Sequence, residues 1–583
     1  MSRAAECLRQ GVAHLQAGRL RPAATAFEQL VALEARHLEG WCRLAAVREA
    51  LGDPAGAIAA YRAASALKPD FAGVHCNLGA ALLRTGAAEE AKSAFEQALA
   101  HQPDFPEALN GRGVALKALG RAADAVAPLR RAVEVRPSYA EAHYNLGNVL
   151  QAQEAWAEAI AAYRHALTLQ PRSADLLHNL ASALCSTRAF SEAADREREA
   201  LALAPHLAEA HNGLGNALLG LGRIEEAAAA FTRAAALKSP YPEALCNLGN
   251  THLAQNDPAQ ALACYRQAKA QDATFAEAHF NEALALLLRG DLAAGFAGYE
   301  WRWQTEQKRH RRSFDSPRWT GKESLEGRTL LVHCEQGMGD TLQFVRYVPL
   351  LTARGAQVIL EVQPALVGLL NSFPSTTVIA RRETPPPHDF HVPLLSLPAA
   401  FATTLESIPA TVPYLRIPEL RRPAWADRLR GTARPRIGVV CSGNARHKND
   451  AQRSVPLAFF ESIAEAVGTP LHLVQKDLRP SDAAHLAASG NLIDWSPDLH
   501  DFSDTAALLG ELDLLISVDT SVAHLAGALG RPVWLLLPYA PDWRWLLHRN
   551  DSPWYPTARL FRQQAPGDWQ TVVEQTAEAI RDL

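Results

Sequence analysis

The chain lacks most of the features that assign a function at sight. Its eight cysteines, Cys7, Cys42, Cys76, Cys185, Cys246, Cys264, Cys334 and Cys441, are scattered over 583 residues without one Cys-x-x-Cys pair. That spacing argues against zinc and disulfide frameworks and suits buried thiols in a reducing compartment. No segment reaches the ~18 consecutive apolar residues of a membrane span. The N-terminus enters a helical pattern at Ala4 to Leu15 with no long apolar core behind a basic start, so no signal peptide is expected and the cytoplasm is the expected compartment. Charge is almost balanced at −4 and no basic stripe stands out, which makes nucleic acid a poor candidate partner. His388 and His391 share a proline-rich loop without further ligands, so no metal site is expected there.

What the chain does have is a 34-residue period over its first half. One column reads Gly11, Ala45, Gly79, Gly113, Gly147, Ala181, Gly215, Gly249 and Ala283; twelve residues on, eight alanines are followed by Gly295. A column of large residues, Phe27, Tyr61, Phe95, Leu129, Tyr163, Phe231, Tyr265 and Tyr299, is broken only by Glu197, and Pro69, Pro103, Pro137, Pro171 and Pro205 close successive units. Small residues at two places and a large one at a third are what a tight helix pair needs, and proline ends the second helix. The pattern resembles the tetratricopeptide repeat, with eight full units and a partial ninth over residues 1–305, stacked into a superhelix. Asn77, Asn145, Asn179, Asn247 and Asn281 share one phase of the first helix. They are similar to the asparagine ladder of protein O-linked N-acetylglucosamine transferases, and an amide offers both a donor and an acceptor to a peptide backbone. The ladder is interrupted at Gly111 and Gly213. The other reading is repeat consensus facing water.

From Arg328 short apolar runs alternate with helical stretches. Residues 330–333, 358–362, 437–441, 471–474, 514–518 and 533–537 read as buried parallel strands, giving an α/β architecture after the all-α repeats. The expected divisions are a linker at 306–325, a trimmed Rossmann-like lobe at 326–416, a second linker at 417–433 and a second lobe with a terminal helix at 434–583. After the first strand come Gly337, Met338, Gly339 and Asp340, a tight turn delivering an acid to a helix start. Asp340 either faces the crevice at the strand ends or caps its helix. Near the end, Asp519, Thr520, Ser521 and His524 open a helix with hydroxyls and free N–H groups suited to a diphosphate; the alternative is an ordinary N-cap on a core helix.

Together these two motifs resemble the ADP-heptose:lipopolysaccharide heptosyltransferase family, whose members have the GT-B arrangement of two Rossmann-like lobes around the active site. The resemblance implies that Asp340 is the catalytic aspartate and that Asp519, Thr520, Ser521 and His524 bind the donor. Between them Ser442 and Asn444 stand on a turn followed by Arg453, where the family has a lysine before Trp-Pro. Arg453 is the first choice for a diphosphate contact, with Lys448 and Lys476 as rivals. The chain contains no Asp-x-Asp, the motif with which the other nucleotide-sugar fold holds a metal, so no metal or cofactor is expected beyond a nucleotide-sugar co-substrate. Tyr299 to Trp303 should cap the repeats, and Trp543 and Trp545 should pack in the core or stack on a base or sugar. The combination implies a bacterial metal-independent glycosyltransferase with a protein or other large acceptor. The alternatives are a non-catalytic repeat scaffold and a nucleotide-sugar epimerase.

Overall fold

The repeat columns act as a steric code. A Cβ added at Gly79 would lie 2.8 Å from the Phe95 ring, one at Gly147 2.5 Å from Tyr163, and one at Gly215 2.5 Å from Phe231. Each large side chain of a second helix therefore lies against the backbone of its partner helix, where no side chain larger than alanine fits. This is a computed structural model in which residues 2–307, 311–444 and 450–581 are described. Helical hairpins run from Arg3–Gln16 to Leu292–Tyr299, an all-helical tetratricopeptide-type array followed by parallel sheets. The chain divides into two compact units, Met1–Lys238 and Ser239–Leu583, so the division falls before the period ends, and the last two hairpins pack with the α/β part.

A histidine column the periodicity argument left unused fastens the turns. The Nε2 atoms of His75, His143 and His211 lie 2.7, 3.0 and 3.1 Å from the carbonyls of Pro69, Pro137 and Pro205, six residues back. The exception in the large column, Glu197, is 1% exposed and lies 2.9 Å from His178 Nδ1. A Cβ at Gly213 would come within 1.9 Å of its Oε1, so glycine is required beside it.

In the second unit one sheet has β1 (Thr329–His333), β2 (Gln357–Val362), β3 (Thr376–Ala380) and β4 (Phe390–Pro393) in the order β3-β2-β1-β4. The other has β5 (Ile437–Val440), β6 (Leu471–Leu473), β7 (Leu492–Asp494), β8 (Leu514–Val518), β9 (Val533–Leu537) and β10 (Ala558–Arg562) in the order β10-β9-β8-β5-β6-β7. All pairings are parallel, for example Leu331 with Ile359 and Val439 with Ile516. Strands β8 and β9 are buried throughout, as a sheet covered on both faces requires. Residues 417–433 carry the helix Arg422–Arg428, whose fully buried Trp425 donates to Asp504 Oδ1 at 3.3 Å. The terminal helix Trp569–Arg581 stays on the second sheet, packing Val572 and Ile580 against Ile463 and Leu536.

One core joins the last hairpin to both lobes: Phe296 meets Trp543 edge-on at 5.5 Å and Trp554 at 6.4 Å. Beside it Trp301 stacks on His279 at 3.8 Å, while Arg302 is completely buried. Arg302 donates to Glu335 at 2.9 Å, Glu300 at 2.7 Å and Ser396 at 2.8 Å. Burial pushes the Glu335 carboxyl up to about 7 against the pull of Arg302.

Two outcomes test these packings. Burial raises the Glu197 carboxyl to about 7 from 4.5, and the hydrogen bond and charge of Glu197 overcome burial to raise His178 above 6.5. Both folded values lie above the unfolded ones, so Glu197 stabilises fully below 4.5 and loses this as pH rises through about 7, with His178 acting in the same direction above 6.5. Hydrogen exchange in the helix Phe190–Leu203 should therefore speed up between pH 6 and pH 8 beyond the intrinsic rate. Glu197→Phe, which repeats the pairing of Phe95 with Gly111, should abolish that excess. In urea titrations of the full chain, Arg302→Met should cost about 3–5 kcal/mol because two carboxylates lose their buried cation. Adding Glu335→Gln should restore part of the loss.

Candidate functional site

Both motifs stand at the places where the strand order of their sheets reverses. In the first sheet β1 has β2 on one side and β4 on the other; in the second β5 and β8 are neighbours with later strands running outward from each. Crevices at such points, beyond the carboxyl ends of the strands, are the ligand sites of open α/β sheets. Gly337 to Asp340 follow β1, Ser442 follows β5, and Asp519 to His524 follow β8.

The first lobe presents its turn to the start of the helix Ser521–Ala528. A Cβ on Gly339 would meet His524 Cδ2 at 2.9 Å and the Ser521 Cα at 3.5 Å, so glycine permits the approach of the two segments. Asp340 lies in the first turn of the helix Met338–Phe344 and its Oδ2 accepts from the Gly337 N–H at 2.8 Å. Of the two expected roles, capping is the one this hydrogen bond shows. Its Oδ1 accepts from Arg544, which also donates to Gln343 Oε1 at 2.7 Å and Asp542 Oδ1 at 2.8 Å while lying 4.4 Å over the Trp543 ring. Burial raises the Asp340 carboxyl, and Arg544 opposes it.

Around this pair the other groups are arranged by charge. Burial, with Asp542 next, pushes Asp519 up to about 6. Burial, followed by Arg544, Arg346 and Arg453, holds His524 well below its usual range, so the imidazole is neutral. His524 Nδ1 lies 2.9 Å from the Tyr555 hydroxyl, its ring stacks on Trp545, and Nε2 stands 3.8 Å from Asp519. Arg453 donates to the Asp519 carbonyl at 3.0 Å, and a Cβ on Gly443 would come within 2.4 Å of its Nη2. Thr520 shares a hydrogen bond of 3.1 Å with Ser517.

Not every expected residue joins the cluster. Lys476 is exposed and donates to the His500 carbonyl at 3.0 Å. Ser442 is buried and tied to Gln475, whose Nε2 donates to its Oγ at 2.6 Å. Asn444 borders residues 445–449, so Lys448 lies outside the described residues. Trp543 and Trp545 are buried, one under Arg544 and one on His524. The residue that sequence reasoning passed over is Arg544. Its signal was an arginine between two tryptophans, and its partner stands 204 positions away. Among the described residues no group of three or more His, Cys, Asp or Glu side chains could hold a metal, and no helix is long and apolar enough to cross a membrane.

In the repeats the amide column is knitted into its own array. Asn145 Nδ2 donates to Asn110 Oδ1 at 2.9 Å, Asn179 Nδ2 to Tyr144 and Asn148 at 2.9 and 3.1 Å, and Asn281 Nδ2 to Asn250 at 3.2 Å. Asn77 is exposed and Asn247 is part-buried. At Gly111 a Cβ would lie 2.3 Å from the Phe95 ring, which explains one interruption of the ladder as Glu197 explains the other at Gly213.

Comparison with known proteins agrees with the repeat period. Models of the tetratricopeptide repeat match residues 47–86, 115–154 and 215–256, residues 140–173 and 242–275, and residues 76–134. Protein FlbA of Caulobacter vibrioides is 27% identical over 324 residues, which cover 51% of this chain and 54% of that protein. The chain thus spans about half the length of the curated relative it matches. Among solved structures, a tetratricopeptide repeat protein from Parabacteroides merdae is 17% identical over 43% of this chain and 98% of its own, with a TM-score of 0.35. YrrB, a TPR protein with an unusual peptide-binding site, is 23% identical over 32% of this chain and 96% of its own, with a TM-score of 0.28. The helical array of this chain is built of tetratricopeptide repeats.

Proposed function

We propose that the α/β part is a glycosyltransferase moving a sugar from a nucleotide-sugar to a polypeptide, and that the repeats select the polypeptide. The observation carrying this reading is the approach of Gly339, next to Asp340, to Ser521 and His524 where the strand order of each sheet reverses. Asp340 takes the proton of the acceptor hydroxyl. The helix start at Ser521, with Arg453 and Arg544, meets the charge that develops on the departing diphosphate. His524, being neutral, contributes a hydrogen bond and no charge. The site uses the chain's own side chains, with the nucleotide-sugar as co-substrate.

A second reading has its own support. Both Asp340 oxygens are engaged, by Arg544 and by the Gly337 N–H, as they would be in a non-catalytic scaffold whose repeats alone bind partners. Incubating the full chain with a panel of nucleotide-sugars and following nucleotide release and acceptor mass separates the two. The enzyme reading expects turnover that falls about 10²–10⁴-fold in Asp340→Asn. If no donor binds and none is consumed, the scaffold reading stands. A repeat truncation should end at Lys238 rather than at 305, because residues beyond it belong to the second unit.

The hydrogen bonds of the amide column sharpen the expected contact. With the Nδ2 groups of Asn145 and Asn179 donating between repeats, their Oδ1 atoms accept from peptide N–H groups. Asn145→Ala and Asn179→Ala should each raise the acceptor KM roughly 2- to 10-fold, the equivalent of about one hydrogen bond, with kcat unchanged. An unchanged KM in the double variant would place acceptor selection elsewhere.

A further inference from the structure

Arg544 is built into the cluster as a fixed fork. It is 8% exposed, stacked over Trp543 at 4.4 Å, and held by Gln343 on Nε at 2.7 Å and by Asp542 on Nη1 at 2.8 Å. Those two bonds set the plane of the guanidinium and leave Nη2 as the end that reaches Asp340. A guanidinium against a carboxylate lowers its proton affinity, so Asp340 is a poorer base while the contact lasts. The same cluster contains the start of the helix Ser521–Ala528 and His524, 4% exposed, whose Nε2 stands 3.8 Å from Asp519. Beside it Arg453 donates through Nη1 to the Asp519 carbonyl and through Nε to Asp450.

We propose that Arg544 is shared between Asp340 and the donor's diphosphate, so that a diphosphate seated at the Ser521 helix start draws Nη2 away and releases Asp340 as the base. This assignment rests on the glycosyltransferase reading above. In the step, the acceptor hydroxyl oxygen bonds to the anomeric carbon as its proton passes to Asp340. The bond from that carbon to the phosphate oxygen breaks with its electron pair on the diphosphate, which leaves paired with Arg544. Donor binding and base activation are thereby one event, and nucleotide-sugar binds before acceptor.

A double-mutant cycle on the full chain tests this, with ADP, UDP and GDP as probes and the matching nucleosides as controls, by calorimetry. Arg544→Gln should weaken the nucleoside diphosphate by about 30-fold and leave the nucleoside unchanged, with Arg544→Lys intermediate. Asp340→Asn should tighten the diphosphate about fivefold when Arg544 is present, and by less than about twofold in the Asp340→Asn, Arg544→Gln double variant. Arg544→Gln, Asp542→Asn removes the opposing charge as well, and should show the same selective loss if the single variant folds poorly. Wild-type diphosphate affinity in Arg544→Gln, or an equal gain from Asp340→Asn in both backgrounds, overturns the sharing while leaving the glycosyltransferase reading intact. A wild-type chain that binds no nucleoside diphosphate and consumes no nucleotide-sugar overturns both.

Discussion

A guanidinium taken out of water needs partners for its donors, and in the second unit Arg302, Arg346 and Arg544 find theirs by reaching across separate segments, Arg302 through its two Nη groups. Arg346 donates to the Gln343 and Trp554 carbonyls, each at 2.7 Å, and to the Tyr414 hydroxyl at 2.9 Å. Tyr414 in turn donates to the Leu342 carbonyl at 2.8 Å. Arg302 holds the loop before Gly337 through Glu335, and Arg544 holds Asp340 itself. The turn after β1 is thereby held at both ends. Each of these arginines costs desolvation, and each is offset only if every partner stays in place, which is why the last repeat hairpin and both lobes share one core.

The repeats obey a different constraint, that of volume. Where the second helix carries a ring, the first helix carries glycine or alanine against it, and the array continues without regard to surface residues. Its departures come in matched sets. Glu197 replaces a ring, Gly213 gives it room, and His178 supplies its hydrogen bond. The pair therefore substitutes a polar contact for a hydrophobic one.

Much of the fold was legible because periodicity and strand burial are local properties. The six apolar runs became β1, β2, β5, β6, β8 and β9. The four strands without such a run stand at sheet edges: β3 begins with two threonines, β4 follows a proline-rich loop, β7 has three residues, and β10 carries Arg559 and Arg562 among apolar residues. Edge strands carry polar residues because one side faces water, so they lack the continuous apolar signal. The site was legible as two motifs. Asp340, Asp519 and His524 do come together, whereas Lys476, chosen only for its charge, points to His500.

The sequence by itself determined the helix pairs, their period, the strand-to-helix turns and the residue types at each, since all of these follow from spacing within about 34 residues. Only the tertiary structure decided what those turns face. That Gly339 abuts His524, that Arg302 and Arg544 clamp the turn after β1, and that the last two hairpins belong with the sheets depend on contacts between residues as far apart as Phe296 and Trp554. Hydrogen bonds and buried charges are satisfied by proximity in space, and spacing along the chain carries no record of it.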